Sequence, residues 1–178
     1  MAAKRRYNSH ARRTKPRTQG GMAAIWLRIP IEVPKGRPLR VLIYARYSTD
    51  EQNPRSIDDQ VDYCRRFLEA LGLHDVEITV LYDKGMSGEL VSRPGIDEVL
   101  AGARWDLILC EDASRLYRHE TACGELIETA VDEGIRVIFI NDFVDTAEPD
   151  WDDRLHEASR HRKRAAKRRT LAKSFMTR

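Results

Sequence analysis

Four arginines, two serines and a glutamine hold most of the chemistry this sequence can perform. They stand in three short polar stretches, ARYSTDEQ at 45–52, DKGMSGELVSRPG at 83–95 and EDASRLYR at 111–118, with Gln60 shortly after the first. Arg46, Arg93, Arg115 and Arg118 share a planar fork of donors that stays charged at any working pH and grips anionic oxygens in pairs. Such groups repel one another unless an anion sits between them, and a phosphate suits the gap. A hydroxyl beside a clamped phosphate, Ser48 or Ser87, is a candidate nucleophile for covalent phosphoryl transfer. Charge then builds on the nonbridging oxygens, and losing one preorganised donor costs about 3 kcal/mol of barrier. Taken singly, each arginine reads as a solvated charge and Ser48 as a strand-end serine bonding local backbone. Their number around one hydroxyl argues for a site. No general base is assigned, since His119 stands only at the edge of one stretch and arginine is a poor acceptor.

The elements that must position these residues follow from apolar periodicity. LRVLIYA at 39–45 is a buried strand, so Ser48 falls just beyond a strand end. Ser56 with Asp59 resembles a capping box, and Ile57, Val61, Cys64, Leu68 and Leu71 recur at helical spacing up to Gly72. Further strands are read at 76–82, 106–110 and 135–140, a short helix from Pro94 to Ala103, and a longer one at 121–133. Alternating strands and helices give a doubly wound α/β fold, a mostly parallel sheet with helices on both faces, followed by a C-terminal basic helix. Ligands of such sheets bind outside the carboxyl ends of the strands, which gathers the three polar stretches on one rim. Glu111 and Asp112, with Asp50, Glu51 and Asp83, offer magnesium ligands on that rim as a rival chemistry. Gly85 and Gly88 make neither a dinucleotide fingerprint nor a P-loop.

Charge divides the 178 residues into three blocks. Residues 1–40 carry 11 Lys and Arg against one acid, 41–150 carry 10 against 24, and 151–178 carry 10 against three, beneath a net charge of only +3. An acidic body with two basic arms is a footprint of contact with a polyanion. Cys64, Cys110 and Cys123 are odd in number and lack CxxC spacing, which argues against a disulfide framework and a zinc site. MAAIWLRIPIEV, from Met22, is broken by Arg28 and too short to span a bilayer; Met22 also offers an alternative start. The division expected is a basic, disordered leader at 1–38, a catalytic domain at 39–150, and a basic helical extension at 151–178. In that extension Trp151, Leu155 and Ala158 precede RHRKRAAKRR, whose Arg160, Arg162, Lys163, Arg164, Lys167, Arg168 and Arg169 are candidate DNA contacts.

YARYSTDEQ followed by SIDDQ, then DKGMSG with RPG, then SRLYR, resembles the catalytic domain of serine recombinases, the resolvase/invertase group, and most of all its large integrase and transposon branch. The similarity covers about residues 39–145 in the family's order and spacing. It implies that Ser48 attacks a DNA phosphodiester to leave a 5′-phosphoserine and a free 3′-hydroxyl. It further implies that Arg46, Arg115 and Arg118 bind the phosphate, that Arg93 is the catalytic-site arginine of the RPG motif, that Gln60 and Ser87 support them, and that Asp83 is the loop carboxylate. No metal or nucleotide cofactor is implied. The implied partner is DNA, held by a homodimer that assembles into a synaptic tetramer, in the cytoplasm on the nucleoid of a bacterium or phage host, with no membrane contact. Ser114 departs from the family, which has Asp before this arginine; whether Asp112 takes that place is open. The rival from another class is a catalytically silent truncated fragment that folds, dimerises and binds DNA without sequence preference.

Overall fold

The computed structural model describes residues 5–6, 26–46, 57–83, 105–116 and 120–176. Among them, one sheet holds β1 (Arg5–Arg6), β2 (Leu39–Arg46), β3 (Val76–Asp83), β4 (Leu107–Cys110), β5 (Arg136–Phe139) and β6 (Val144–Asp145). Their spatial order is β1-β3-β2-β4-β5-β6. The inner four are parallel, and β1 and β6 close the two edges antiparallel. The helices are α1 (Ile57–Ala70), α2 (Ala113–Leu116), α3 (Glu120–Asp132) and α4 (Trp151–Met176). This is the doubly wound, mostly parallel architecture expected from the sequence. The helix expected at 94–103 lies outside the described residues.

The central strand explains why the sheet needs cover on both sides. Val41, Ile43 and Ala45 of β2 pack with Val61, Cys64, Phe67 and Leu68 of α1. Leu42 and Tyr44 turn the other way, into a second core with Leu126, Ile127 and Ala130 of α3 and Leu155 of α4. From β2 the chain passes to β3 on one side, whereas from β4 it passes to β5 in the opposite direction. Right-handed crossovers then put α1 and α3 on opposite faces. Both helices end alike. Gly72 and Gly134 take φ of +73° and +76°, and the next residues reach back, Leu73 N–H to Leu68 O at 3.1 Å and Ile135 N–H to Ala130 O at 2.8 Å. That is the left-handed C-terminal cap glycine permits at no steric cost.

Within 1–38, expected to be a disordered leader, Arg5–Arg6 pair with β3 and 26–38 lies on the domain. Trp26, Leu27 and Ile31 pack against the α1 core. The Trp26 ring lies 6.3 Å from Phe67 and meets Phe143 edge-on at 5.6 Å. Arg136 secures this strap: it donates to the carbonyls of Pro30 and Ile29 at 2.8 and 2.6 Å while its Nε and Nη2 grip the fully buried Asp145 at 2.8 and 2.6 Å. Arg37 forks onto Asp106 at 2.6 and 2.7 Å, and that paired hydrogen bond holds the Asp106 carboxyl below its ordinary range. The described part of that apolar run, from Trp26, is thus a strap against the α1 core and Arg136.

Helix α4 starts with Asp152 and Asp153 in its first turn, where carboxylates favour the helix dipole. Trp151, Leu155 and Ser159 face the domain, while from Ala166 to Thr170 every residue is exposed. No helix among the described residues is long and apolar enough to cross a membrane.

Candidate active site

The strand order fixes where a site can form. Since β2 is followed by β3 on one side and has β4 on the other, the sheet's switch point opens at the carboxyl ends of β2 and β4. Arg46 is the last residue of β2 and is 3% exposed. Gln60 of α1 locks this strand end: Arg46 N–H donates to Gln60 Oε1 at 3.3 Å, and Gln60 Nε2 donates to Arg46 O at 3.2 Å. The Arg46 guanidinium then reaches across to α2, Nη2 donating to Ser114 O at 3.1 Å. Position 60 therefore needs an amide, one group that both gives and accepts.

At the end of β4, Asp112 starts helix α2. Its Oδ1 accepts from Ser114 N–H at 2.9 Å and from the Ser114 hydroxyl, as an N-cap does. One turn on, Arg115 lies with Nη2 3.2 Å from Glu111 Oε2 and Nε 3.5 Å from Asp112 Oδ2. Serine at 114 thus does not deprive Arg115 of a neighbouring carboxylate, because Asp112 stands beside it. Arg46 and Arg115 meet at the same four-residue helix, one on its backbone and one as its side chain.

Two further residues belong to this arrangement and escaped the sequence reading. Asn141 donates its N–H to Glu111 O at 2.8 Å and its Nδ2 to Glu111 Oε1 at 3.4 Å, while accepting from the Tyr63 hydroxyl at 2.8 Å. Asp142 Oδ2 accepts from Ala113 N–H at 2.7 Å, and its Oδ1 pairs with Arg162 of α4. Burial pushes the Asp142 carboxyl up from its ordinary value, while the Arg162 charge and the Ala113 N–H pull it back. The signal for both was available: they follow the fourth strand, and the strand-end rule that selected the other three stretches selects this one equally.

The site residues named from the sequence divide into three groups. Arg46, Gln60 and Arg115 come together as described, and the backbone of Asp83 pairs in register with Arg46 at the same end of the sheet. Ser48, Ser87, Arg93 and Arg118 lie outside the described residues. On α4, Arg160, Lys163, Arg164, Lys167, Arg168 and Arg169 are exposed, whereas Arg162 is half-buried against Asp142. Cys64 and Cys110 offer no rival nucleophile. Burial, then the Glu111 charge, raises the Cys64 thiol, and burial likewise raises Cys110; a protonated buried thiol is inert.

Two buried arginines brought together at the switch point of a doubly wound sheet can be set beside known proteins. Residues 41–173 match the family model for the resolvase N-terminal domain. The chain belongs to the resolvase N-terminal domain family. Over 83 residues it is 37% identical to a Bacillus subtilis (strain 168) protein described as "Putative DNA recombinase", a match covering 44% of this chain and 16% of that one. Among solved structures, the N-terminal catalytic domain of TP901-1 integrase superposes with a TM-score of 0.57 at 26% identity, covering 72% of this chain and 97% of that domain. A resolvase family site-specific recombinase from Streptococcus pneumoniae superposes with a TM-score of 0.53 at 17% identity, over 78% of this chain and 97% of that one, a likeness of fold. This resolvase-family chain therefore carries the catalytic-domain fold of serine recombinases, and the stretch it shares with the Bacillus protein is only a small part of that protein's length.

Proposed function

We propose that this chain is the catalytic part of a site-specific DNA recombinase that cuts and rejoins DNA through a phosphoserine at Ser48. The Ser48 oxygen attacks phosphorus as its proton passes to a general base, the bond from phosphorus to the 3′ oxygen breaks, and that oxygen takes up a proton as it leaves. A 5′-phosphoserine and a free 3′-hydroxyl result. Rejoining reverses this: a 3′-hydroxyl attacks the same phosphorus and the serine oxygen leaves. Arg46, Arg93, Arg115 and Arg118 hold the phosphate and stabilise its charge in flight; Gln60, Ser87 and Asp83 hold the loops that carry them. The observation that supports this most is the meeting of Arg46 and Arg115 at α2, with Ser48 two residues beyond Arg46 in the chain.

The protein works, on this reading, as a homodimer that pairs into a tetramer on cytoplasmic, nucleoid DNA, and the exposed basic residues of α4 grip the duplex backbone without reading bases. A second reading is a silent fragment that binds DNA and does not cut it. It draws on Arg115, whose guanidinium lies against Glu111 and Asp112 and must be shared with an incoming phosphate.

Supercoiled DNA incubated with the protein and resolved on a denaturing gel separates these readings. The proposal expects protein-linked DNA that persists in EDTA and vanishes in Ser48→Ala. A folded wild type that binds DNA but yields no adduct supports the silent fragment. Cleavage that stops in EDTA and survives Ser48→Ala would instead indicate a metal-dependent nuclease.

A further inference from the structure

Helix α4 is bonded to the catalytic segment through one short turn. Arg162 pairs with Asp142 Oδ1, and Asp142 Oδ2 accepts the N–H of Ala113, the first residue of α2. Arg154 of α4 donates to Phe143 O at 3.4 Å in the same turn. Asn141, beside them, holds both the backbone and the carboxylate of Glu111, which in turn pairs with Arg115. Phe143 closes the turn with φ of +56°, an unfavourable backbone for an aromatic residue. Such a conformation persists where its surroundings over-determine it, and here α4, α2 and Trp26 all bear on it.

We infer that Asn141 and Asp142 are positioning residues: through them the seating of helix α4, read at Arg162, sets the place of α2 and so of both Arg115 and the Ser114 carbonyl that anchors Arg46. Neither residue touches substrate in this scheme. When α4 shifts along the domain, Arg162 withdraws, the Asp142 carboxylate is freed from one of its two partners, and the first N–H of α2 loses a fixed acceptor. The consequence for chemistry rests on the reading above that Arg46 and Arg115 hold a DNA phosphate; the mechanical coupling does not.

Amide hydrogen exchange on the DNA-free chain tests the coupling. In Arg162→Gln, exchange across Ala113–Leu116 rises by about tenfold, the scale of a lost charge-assisted hydrogen bond, while amides of β4 keep their protection. Arg164→Gln removes the same charge from an exposed position of α4 and leaves Ala113–Leu116 as in wild type. Asp142→Ala raises exchange there at least as much as Arg162→Gln does. The inference is overturned if Arg162→Gln leaves Ala113–Leu116 unchanged while Asp142→Ala exposes it, or if protection falls equally in β4. At saturating DNA, Arg162→Gln also slows adduct formation by about tenfold, and an unchanged rate beside altered exchange would show that α2 does not govern the chemistry. Should the wild type form no adduct, the proposed reaction fails and the exchange data still decide the coupling.

Discussion

Asp112 is bound on both of its oxygens, capping α2 with one and lying beside the Arg115 Nε with the other. Removing it should therefore act on stability and on the site together. Asp112→Ala is expected to destabilise the fold by about 1 kcal/mol, the ordinary worth of an N-cap, seen as a lower urea midpoint at constant m. Asp112→Asn keeps an acceptor for Ser114 and should recover most of that loss; equal losses in the two variants would show that the cap contributes nothing. At this scale the sequence was legible where a side chain's role follows from its place on a strand. Arg46 ends a run of buried residues, and Gln60 sits on the inward stripe of an amphipathic helix. It was illegible where the role depends on helix rotation: within RHRKR, Arg162 looks like its neighbours, and only the phase of α4 against the turn at 141–143 turns it toward Asp142. Ser114 was left open for a similar reason, since the hydroxyl and the Asp112 carboxylate meet only once the chain has turned into α2.

Among the elements, the strap at 26–38 differs most from expectation. Basic residues dominate 1–40, and that composition masked a short apolar run whose partners are remote in sequence: Phe67, Phe143 and the Arg136–Asp145 pair. Asp145 is fully buried and both of its oxygens accept from Arg136. Replacing Arg136 with methionine should cost about 3–5 kcal/mol, the usual penalty for leaving one member of a buried pair alone, and should release the strap to proteolysis between Trp26 and Pro38. A loss below about 1 kcal/mol, the range of exposed pairs, would contradict this. The four parallel strands were readable as apolar runs with a turn beyond each, and the helices at 57–70 and 120–132 as long amphipathic runs. β6 and α2, with two and four residues, are too short to carry a period and owe their form to neighbours, β5 for one and Asp112 with Asp142 for the other.

The molecule as a whole joins an acidic domain to a basic helix that leaves its surface. The exposed cations Arg160, Lys163, Arg164, Lys167, Arg168 and Arg169 lie along α4 where it has no core to cover. If all six meet phosphates, affinity for duplex DNA should fall by roughly a thousandfold between 50 and 200 mM salt, and Gln at 167, 168 and 169 should flatten the salt slope by about three units. Fluorescence anisotropy against any duplex reads this, and a slope untouched by the triple substitution would move DNA binding off α4. The basic character of the C-terminal helix was plain in the charge pattern, while its contact with the turn at 141–143, Arg162 to Asp142, was not. One measurement bears most directly on the whole account. Protein–DNA adducts are digested with protease and nuclease, and the nucleotide-bearing peptide is sequenced by mass spectrometry. The account predicts a deoxynucleotide joined through its 5′ phosphate to Ser48. Attachment at any other residue, or through a 3′ phosphate, would contradict it.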